Sequence, residues 1–512
     1  MWDPHTYALF LIALRYCFMR YFTPIKKSFI IHWCDLFYLP WRWAKSSGWP
    51  YCVDRKTRSK GTAWNKFTEY GRNVAHGIKH MTLNPMSCTL PLKNYIIMGY
   101  NRFHIARAGD FAKIRLVFGV PMILLAFEHM LFSGYLFMIK RFGSSPIAYG
   151  KEIYRGGMTY VNSHITNGDI IICDDISGFD YHVYFWFIQL IFRIIFKNFI
   201  SFKRYWPCFK EGGKYFTTLM NPIVMMKQYF NVLIITIRWI CEWKVLLPTR
   251  EFLFRRFQFL PSGILMTNFL DSTINTIITY HVCLCVGLRV DEITFIIVLG
   301  DDLTFTIPQA ALNRLRISAN GFYRQFDSIR KDLYNMSSGG KPRYVGRDKN
   351  KLVFLKYRNE YGRPIRDLEE LTAGALIRER HLKPEYLASV LVGLAYAATA
   401  TSRAYHECLR DAYDFCIKAG NDKGVKQSIA TDDRYVSELC EEIGLSDEEL
   451  MTFPSYEEVY ERVTCYRRPD TSKPYHNFNH EAFAYPNSGH AVLFDPIDAD
   501  LDICEEFIST IR

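Results

Sequence analysis

The chain has 512 residues, of which 49% are hydrophobic, and this is ample for a large buried core. It contains no internal repeat and no Gly-x-x-x-x-Gly-Lys-Ser/Thr phosphate loop, which argues against a P-loop helicase or packaging ATPase. Its 14 cysteines show no zinc-site spacing with histidine, so free thiols in a reducing compartment are expected. The net charge is +12, but residues 431–512 hold 6 basic and 19 acidic side chains, which leaves +25 on the preceding 430 residues. This basic surplus predicts binding of a polyanion.

Two apolar segments, residues 7–22 and 120–139, are the first candidate elements in chain order. Arg15 and Arg20 interrupt the first segment and Glu128 interrupts the second, so neither is a clean run of about 20 apolar residues. We therefore predict buried or amphipathic helices and no insertion into a membrane.

The next element is an apolar run at residues 169–174 that reads as a buried strand. Asp175 comes directly after this run, and Asp180 lies five residues further on. Such a pair of carboxylates can also be a solvated turn or a helix N-cap.

A glycine-containing turn then leads into a helix with polar side chains over residues 260–275. Thr267, Asp271 and Asn275 are spaced by four residues, so they share one face of that helix. The turn would let the backbone approach a ligand closely, and it contains Ser262 and Gly263.

The third motif follows a second apolar run, residues 295–300, which also predicts a buried strand. Gly300 allows a sharp turn, so Asp301 and Asp302 are expected at the tip of a hairpin. A Gly-Asp-Asp triplet arises by chance in roughly one chain of this length in ten, and an ordinary Asp-rich turn is the alternative. The order of the three motifs argues against coincidence.

These carboxylates suit nucleotidyl transfer. Two divalent cations about 3.5 to 4 Å apart can stabilise the attacking and leaving oxygens of an in-line displacement at phosphorus. Mg²⁺ prefers carboxylate and phosphate oxygens. We predict that Asp175 and Asp301 hold these ions.

The order of these motifs resembles the palm of viral RNA-dependent RNA polymerases, in particular the double-stranded RNA partitivirus and picobirnavirus group. In the second motif of that group Asp stands where many positive-strand RNA viruses carry Asn, as at Asp271 here. Two residues depart from the group's pattern: Leu303 follows Gly-Asp-Asp in place of Ser, and Lys356 replaces an expected Gly. The other segments that resemble the group are residues 113–121 and 145–150 of the fingers, 354–366 of the primer grip and 391–397 of the thumb.

The resemblance implies a right-hand α+β polymerase with an antiparallel-sheet palm and a helical thumb. Residues 1–165 would form an N-terminal extension and the fingers. Residues 166–360 would form the palm, with a fingers insertion at about 185–258. Residues 361–512 would form the thumb and a C-terminal segment.

The resemblance also implies roles for single residues. Asp175, Asp301 and Asp302 would bind Mg²⁺ or Mn²⁺ and carry catalysis. Lys341, in a stretch that also reads as a plain flexible turn, would be the general acid on the leaving pyrophosphate, with Lys331 as its rival. Lys113 and Arg115 would neutralise the triphosphate, unless they are a surface pair at a strand end. The predicted substrate-binding residues are Lys113, Arg115, Asp180, Ser262, Gly263, Thr267, Asp271 and Asn275.

The expected partners are an RNA template, the product duplex and ribonucleoside triphosphates, with viral capsid protein as a further candidate. The expected location is the host cytoplasm, inside the virion or a replication particle. Two other classes remain open: a reverse transcriptase, which shares the paired Asp motifs, and a non-catalytic RNA-binding protein with the polymerase fold. Asp180 and Asp271 favour ribonucleotides, because they place acceptors where a reverse transcriptase puts a bulky side chain against the 2′-hydroxyl.

Overall fold

A computed structural model describes twelve stretches of the chain: residues 2–39, 41–43, 45–81, 96–104, 113–142, 145–206, 221–242, 244–253, 257–339, 342–376, 386–422 and 452–467. The strands in these stretches are β1 (Ser28–Ile31), β2 (Ile97–His104), β3 (Lys113–Gly119), β4 (Ile170–Asp175), β5 (Ile200–Trp206), β6 (Val245–Leu246), β7 (Phe252–Leu253), β8 (Phe295–Leu299), β9 (Asp302–Ile307), β10 (Tyr344–Gly346), β11 (Val353–Phe354), β12 (Tyr357–Glu360) and β13 (Arg363–Arg366). The α-helices are α1 (Pro4–Cys17), α2 (Lys60–Lys79), α3 (Met122–Phe142), α4 (Gly157–His164), α5 (Phe179–His182), α6 (Phe185–Ile194), α7 (Pro222–Glu242), α8 (Thr267–Val286), α9 (Gln309–Leu315), α10 (Ala319–Tyr334), α11 (Leu368–Leu376), α12 (Leu387–Ala397), α13 (Arg403–Asp422) and α14 (Tyr456–Thr464).

The central sheet has the strand order β10-β4-β9-β8, and every pairing in it is antiparallel. The apolar runs at residues 169–174 and 295–300 form its buried strands β4 and β8, as their composition predicts. Gly300 has a φ of 67°, which glycine adopts without steric cost, and it turns the chain between β8 and β9. The sheet therefore brings the two carboxylate motifs to one end.

Two helices fix the sheet to the rest of the core. Helix α10 buries an amphipathic stripe, and its Phe326 ring lies 5.4 Å from the ring of Phe305 on β9. Helix α8 is buried over most of its length and packs against both α1 and α10. Aliphatic and aromatic side chains from these elements form one continuous core with α3, α6 and α7.

A second four-stranded sheet, in the order β3-β2-β6-β7, lies in the part of the chain predicted to be the fingers. The predicted insertion at residues 185–258 returns to this region through two parallel pairings, β1 with β5 and β2 with β6. The subdomain boundaries themselves stay a prediction.

The carboxyl-terminal part that the structure describes is a three-stranded sheet, β11-β12-β13, followed by helices. A small apolar cluster joins α12 to α14 through side chains such as Val392, Tyr396 and Val459. The acidic stretch at 495–506 lies outside the described residues. An α+β right hand with an antiparallel palm sheet and a helical carboxyl-terminal part agrees with the fold predicted from the sequence.

Within the described stretches, three helices are long and apolar enough, by length and composition only, to cross a membrane: α3, α7 and α8. The buried share of the most apolar part of each helix is 89% for α3, 50% for α7 and 83% for α8. Segment 120–139 forms a buried helix, as predicted, whereas segment 7–22 is helical but only partly buried, with Ile12 and Met19 exposed. Every cysteine within the described stretches is a free thiol.

Candidate active site

The candidate site lies where β4 and β9 end side by side. The antiparallel register pairs Asp175 directly with Asp302, and Asp301 occupies the turn that precedes β9. Burial raises the pKa of Asp302 to about 6, and burial together with the charge of Asp175 raises the pKa of Asp301. A cation would offset the repulsion among these neighbouring carboxylates.

Arg343, which directly precedes β10, bridges two of these carboxylates. Its guanidinium donates to Oδ2 of Asp302 and to Oδ2 of Asp175, both at 2.7 Å. The backbone N–H of Leu355 also donates to Oδ2 of Asp302, at 3.1 Å. Oδ1 of Asp302 is buried and has no hydrogen-bond partner within the described stretches.

Behind the site, Asp174, which directly precedes Asp175, forms a buried ion pair. Asp174 is fully buried, and the guanidinium of Arg330 on α10 lies 2.6 Å from its Oδ2. The hydroxyl of Tyr323 donates to Oδ1 of Asp174 at 2.7 Å, and Asp327 pairs with Arg330 at 2.7 Å. This network fixes the end of β4, because a buried charge without partners would be costly.

Helix α8 holds the Gly-Asp-Asp turn. Ser272 Oγ accepts the backbone N–H of Gly300 at 2.8 Å, and Asn275 Nδ2 donates to the carbonyl of Gly300 at 3.0 Å. Asn275 is predicted to bind substrate, but its side-chain amide donates its hydrogen bond to the backbone of this turn. Its Oδ1 has no partner among the residues that the structure describes.

Asp180 on α5 and Asp271 on α8 lie close enough for a side-chain hydrogen bond, so the structure brings together the pair predicted to face the sugar. Burial raises the pKa of Asp180 to about 6. Burial, and next the charge of Asp180, raise the pKa of Asp271 well above its usual range. Of the two carboxyl groups, Asp271 is therefore the one that favours its protonated form, as a donor to Asp180.

The turn before α8 is clamped from two sides. A Cβ at Gly263 would lie 1.9 Å from the carbonyl oxygen of Phe118 on β3, so only glycine fits there. On the other side, the buried carboxylate of Glu128 accepts the backbone N–H groups of Leu265 at 2.9 Å and Met266 at 3.3 Å. Burial raises the pKa of Glu128 to about 8.

Two further predicted residues hold this turn. Ser262 Oγ accepts the backbone N–H of Phe118 at 3.4 Å, and the Thr267 hydroxyl donates to the carbonyl of Pro261 at 2.8 Å. Ser262 and Thr267 thus shape the turn and anchor it to β3, whatever contact they make with a substrate.

The predicted basic residues are placed unequally by the structure. Arg115 is exposed on β3, and its charge lowers the pKa of both Asp180 and Asp301, so it faces the candidate site. Lys113 begins the same strand. Lys341 lies outside the described residues, while its rival Lys331 is exposed on α10.

Lys356, the departure from glycine in the primer-grip segment, sits in the two-residue turn between β11 and β12. Leu355 and Lys356 have φ values of 51° and 66°, as a tight hairpin of this kind requires. Glycine would adopt this backbone more easily, and Lys356 instead forms an ion pair with Glu370 at 2.5 Å.

The donor set fits a divalent cation. Among the described residues no group of three or more His, Cys, Asp or Glu is already arranged around a metal-sized space. The three carboxylates nevertheless lie within electrostatic reach of one another, and the unpartnered buried Oδ1 of Asp302 is a free hard ligand. Asp175, Asp301 and Asp302 are the residues that could hold such an ion.

Three of the residues that sequence reasoning missed are Glu128, Arg330 and Arg343. The sequence shows Glu128 only as a charge inside an apolar segment, and a charge at such a position signals the need for a partner. Arg330 lies four residues after Phe326 on an amphipathic helix, so the helical period places it on the buried stripe. This spacing is a weak sign that the arginine is buried. Arg343 has no local signal, because it lies in a turn.

Comparison with known proteins identifies relatives of this chain. The profile of a family described as viral RNA-dependent RNA polymerase matches residues 38–359. An RNA-directed RNA polymerase of Atkinsonella hypoxylon virus (isolate 2H) is 24% identical over 444 residues, which are 77% of this chain and 65% of that protein. Another, of White clover cryptic virus 1 (isolate Boccardo/2004), is 28% identical over 329 residues, 61% of this chain and 50% of the relative. Both come from partitivirus-type viruses, as the motifs suggested.

The fold has a solved counterpart in a Sicinivirus 3Dpol RNA-dependent RNA polymerase, with a TM-score of 0.55 and 14% identity. The similarity covers 88% of this chain and 86% of the other. At this identity the likeness concerns the fold alone. The chain spans about two thirds and one half of the length of the two curated relatives.

Proposed function

We propose, because this chain belongs to the family of viral RNA-dependent RNA polymerases, that it joins ribonucleotides on an RNA template. The observation that carries this proposal is the register of the palm sheet. It pairs Asp175 with Asp302 and leaves Asp301 in the adjoining turn. Carboxylates in this arrangement suit nucleotidyl transfer assisted by two metal ions.

In this proposal Asp175, Asp301 and Asp302 hold Mg²⁺ or Mn²⁺. When bound, such ions stabilise charge on the attacking and leaving oxygens. Arg115, together with Lys113, neutralises the triphosphate, which agrees with the electrostatic reach of Arg115 into the site. Protonation of the leaving pyrophosphate by Lys341, or by Lys331, stays a prediction from the sequence.

The Asp180–Asp271 pair would select the sugar. The Asp180 carboxylate can accept a hydrogen bond from a ribose 2′-hydroxyl, while Asp271 holds it in position. A deoxynucleotide would leave this half-buried carboxylate without its partner, and sites of this kind can reject the analogue that lacks the hydroxyl by about 10⁴-fold.

The proposed partners are the RNA template, the product duplex and ribonucleoside triphosphates. A capsid protein, a location inside a virion or replication particle in the host cytoplasm, and the absence of membrane insertion are further proposals. The positive net charge of residues 1–430 supports binding of RNA.

Primer extension with the purified chain tests the proposal. A short RNA template and primer are supplied with ribonucleotides or deoxynucleotides, and with Mg²⁺, Mn²⁺ or neither ion. We expect template-dependent RNA synthesis that requires an ion. Equal use of deoxynucleotides would favour a reverse transcriptase, and RNA binding without synthesis would favour a non-catalytic RNA-binding protein.

A further inference from the structure

The contact between Arg343 and the two carboxylates is unusually complete for a surface arginine. Each terminal nitrogen donates to a different carboxylate at 2.7 Å, and the Arg343 side chain is only 25% exposed. Asp302 is 9% exposed, whereas Asp175 is 43% exposed. The guanidinium thus joins a buried carboxylate to an open one through two charge-assisted hydrogen bonds, which are stronger than hydrogen bonds between neutral groups.

The arginine occupies one oxygen on each of two carboxylates that a cation would use. Oδ2 of Asp302 accepts from Arg343 and from the N–H of Leu355, and Oδ2 of Asp175 accepts from the same guanidinium. A divalent cation on the same two carboxylates would lie beside the positive charge of the guanidinium, and the two cations would repel each other at close range.

We propose that Arg343 is a built-in counter-ion that competes with divalent cations for Asp175 and Asp302, so that metal binding requires its release. The inference rests on the metal site proposed above and adds a regulation of that site. The arginine offsets the repulsion between the carboxylates while no ion is present. The same contact weakens the apparent affinity for the ion, because only molecules with a displaced arginine can bind it.

The size of the effect follows from the fraction of molecules in which the arginine is engaged. If Arg343 is engaged in about nine tenths of the metal-free molecules, the apparent dissociation constant is about tenfold weaker than that of the open site. Removing the arginine therefore has two effects of opposite sign. The metal-free protein loses stability, and its affinity for the ion increases.

The test is Mn²⁺ binding to the full chain without RNA or nucleotide, measured by electron paramagnetic resonance, with the melting temperature recorded with and without Mn²⁺. Arg343→Gln is expected to bind Mn²⁺ about tenfold more tightly than wild type and to melt at a lower temperature without the ion. Its melting temperature should also increase more than that of wild type when Mn²⁺ is added. Arg343→Lys keeps the positive charge but lacks the planar guanidinium that donates to both carboxylates. Its Mn²⁺ affinity should lie between those of wild type and Arg343→Gln. Arg347→Gln is the matched control, because exposed Arg347 contacts Gln309 and not the site, and it should behave as wild type.

An unchanged or weaker Mn²⁺ affinity in both Arg343 variants would overturn the inference. Asp175→Asn separates this failure from that of the metal site. If Asp175→Asn lowers Mn²⁺ binding but the Arg343 variants do not change it, only the competition is wrong. If wild type and Asp175→Asn bind Mn²⁺ alike, or if neither binds it, the proposed site and the inference fall together.

Discussion

Replacement of Asp271 by Asn or by Ala separates its hydrogen bond from its charge. Asp271 is only 4% exposed and its pKa is raised well above the usual range, by burial and next by Asp180, which favours the protonated form that can donate to Asp180. An Asn amide can donate the same hydrogen bond at any pH, whereas Ala cannot. Asn should therefore keep Asp180 in position, and Ala should release it.

The magnitude follows from the bond that is lost. A hydrogen bond to a charged group contributes about 1.5 to 3 kcal/mol, and about 1.4 kcal/mol corresponds to a factor of ten. Asp271→Ala should thus lower the preference for ribonucleotides over 2′-deoxynucleotides by about 10- to 100-fold, while Asp271→Asn should change it by less than about threefold.

The assay compares kcat/KM for one ribonucleotide and its deoxy analogue in wild type and in both variants, at a fixed Mg²⁺ concentration. An equal loss of preference in the Asn and Ala variants would show that the carboxyl group itself, and not its donated hydrogen bond, sets the selection. An unchanged preference in the Ala variant would refute sugar selection by this pair.

Two predictions concern stability. Asp174→Ala leaves buried Arg330 without its main partner, so the free energy of unfolding in urea should fall by about 3 to 5 kcal/mol, and a loss below about 1 kcal/mol would contradict the role of this network. For Glu128, burial raises the folded-state pKa to about 8, above the usual carboxyl value of about 4.3. The folded chain then binds the proton more tightly than the unfolded chain, so wild-type stability should decrease as the pH rises from about 5 to about 8. Glu128→Gln removes this term, and a difference between variant and wild type that stays constant over that range would contradict it.

The sequence predicted those parts of the site that depend on local pattern. The apolar runs before Asp175 and Gly300 identify β4 and β8, because a buried strand needs a continuous apolar stretch. The four-residue spacing of Thr267, Asp271 and Asn275 likewise places them on one helix. These features need no knowledge of the tertiary structure.

Contacts between distant segments could not be predicted in this way. Glu128 reaches the turn before α8 across 137 residues, and Arg343 reaches Asp175 across 168 residues. Hydrophobic period and turn chemistry describe neighbours in sequence, so they do not indicate which buried charge meets which partner. The hydrogen bond from the Asn275 amide to the carbonyl of Gly300 could not be predicted for the same reason.

Template-dependent RNA synthesis by an Asp301→Asn variant tests the central claim most directly. Asp291→Asn is the matched control, because Asp291 is 73% exposed and lies outside the site. With Mg²⁺ and ribonucleotides, we expect wild type and Asp291→Asn to extend an RNA primer, and Asp301→Asn to bind RNA and melt as wild type does without making product. Extension by folded Asp301→Asn at a rate near that of wild type would contradict the account.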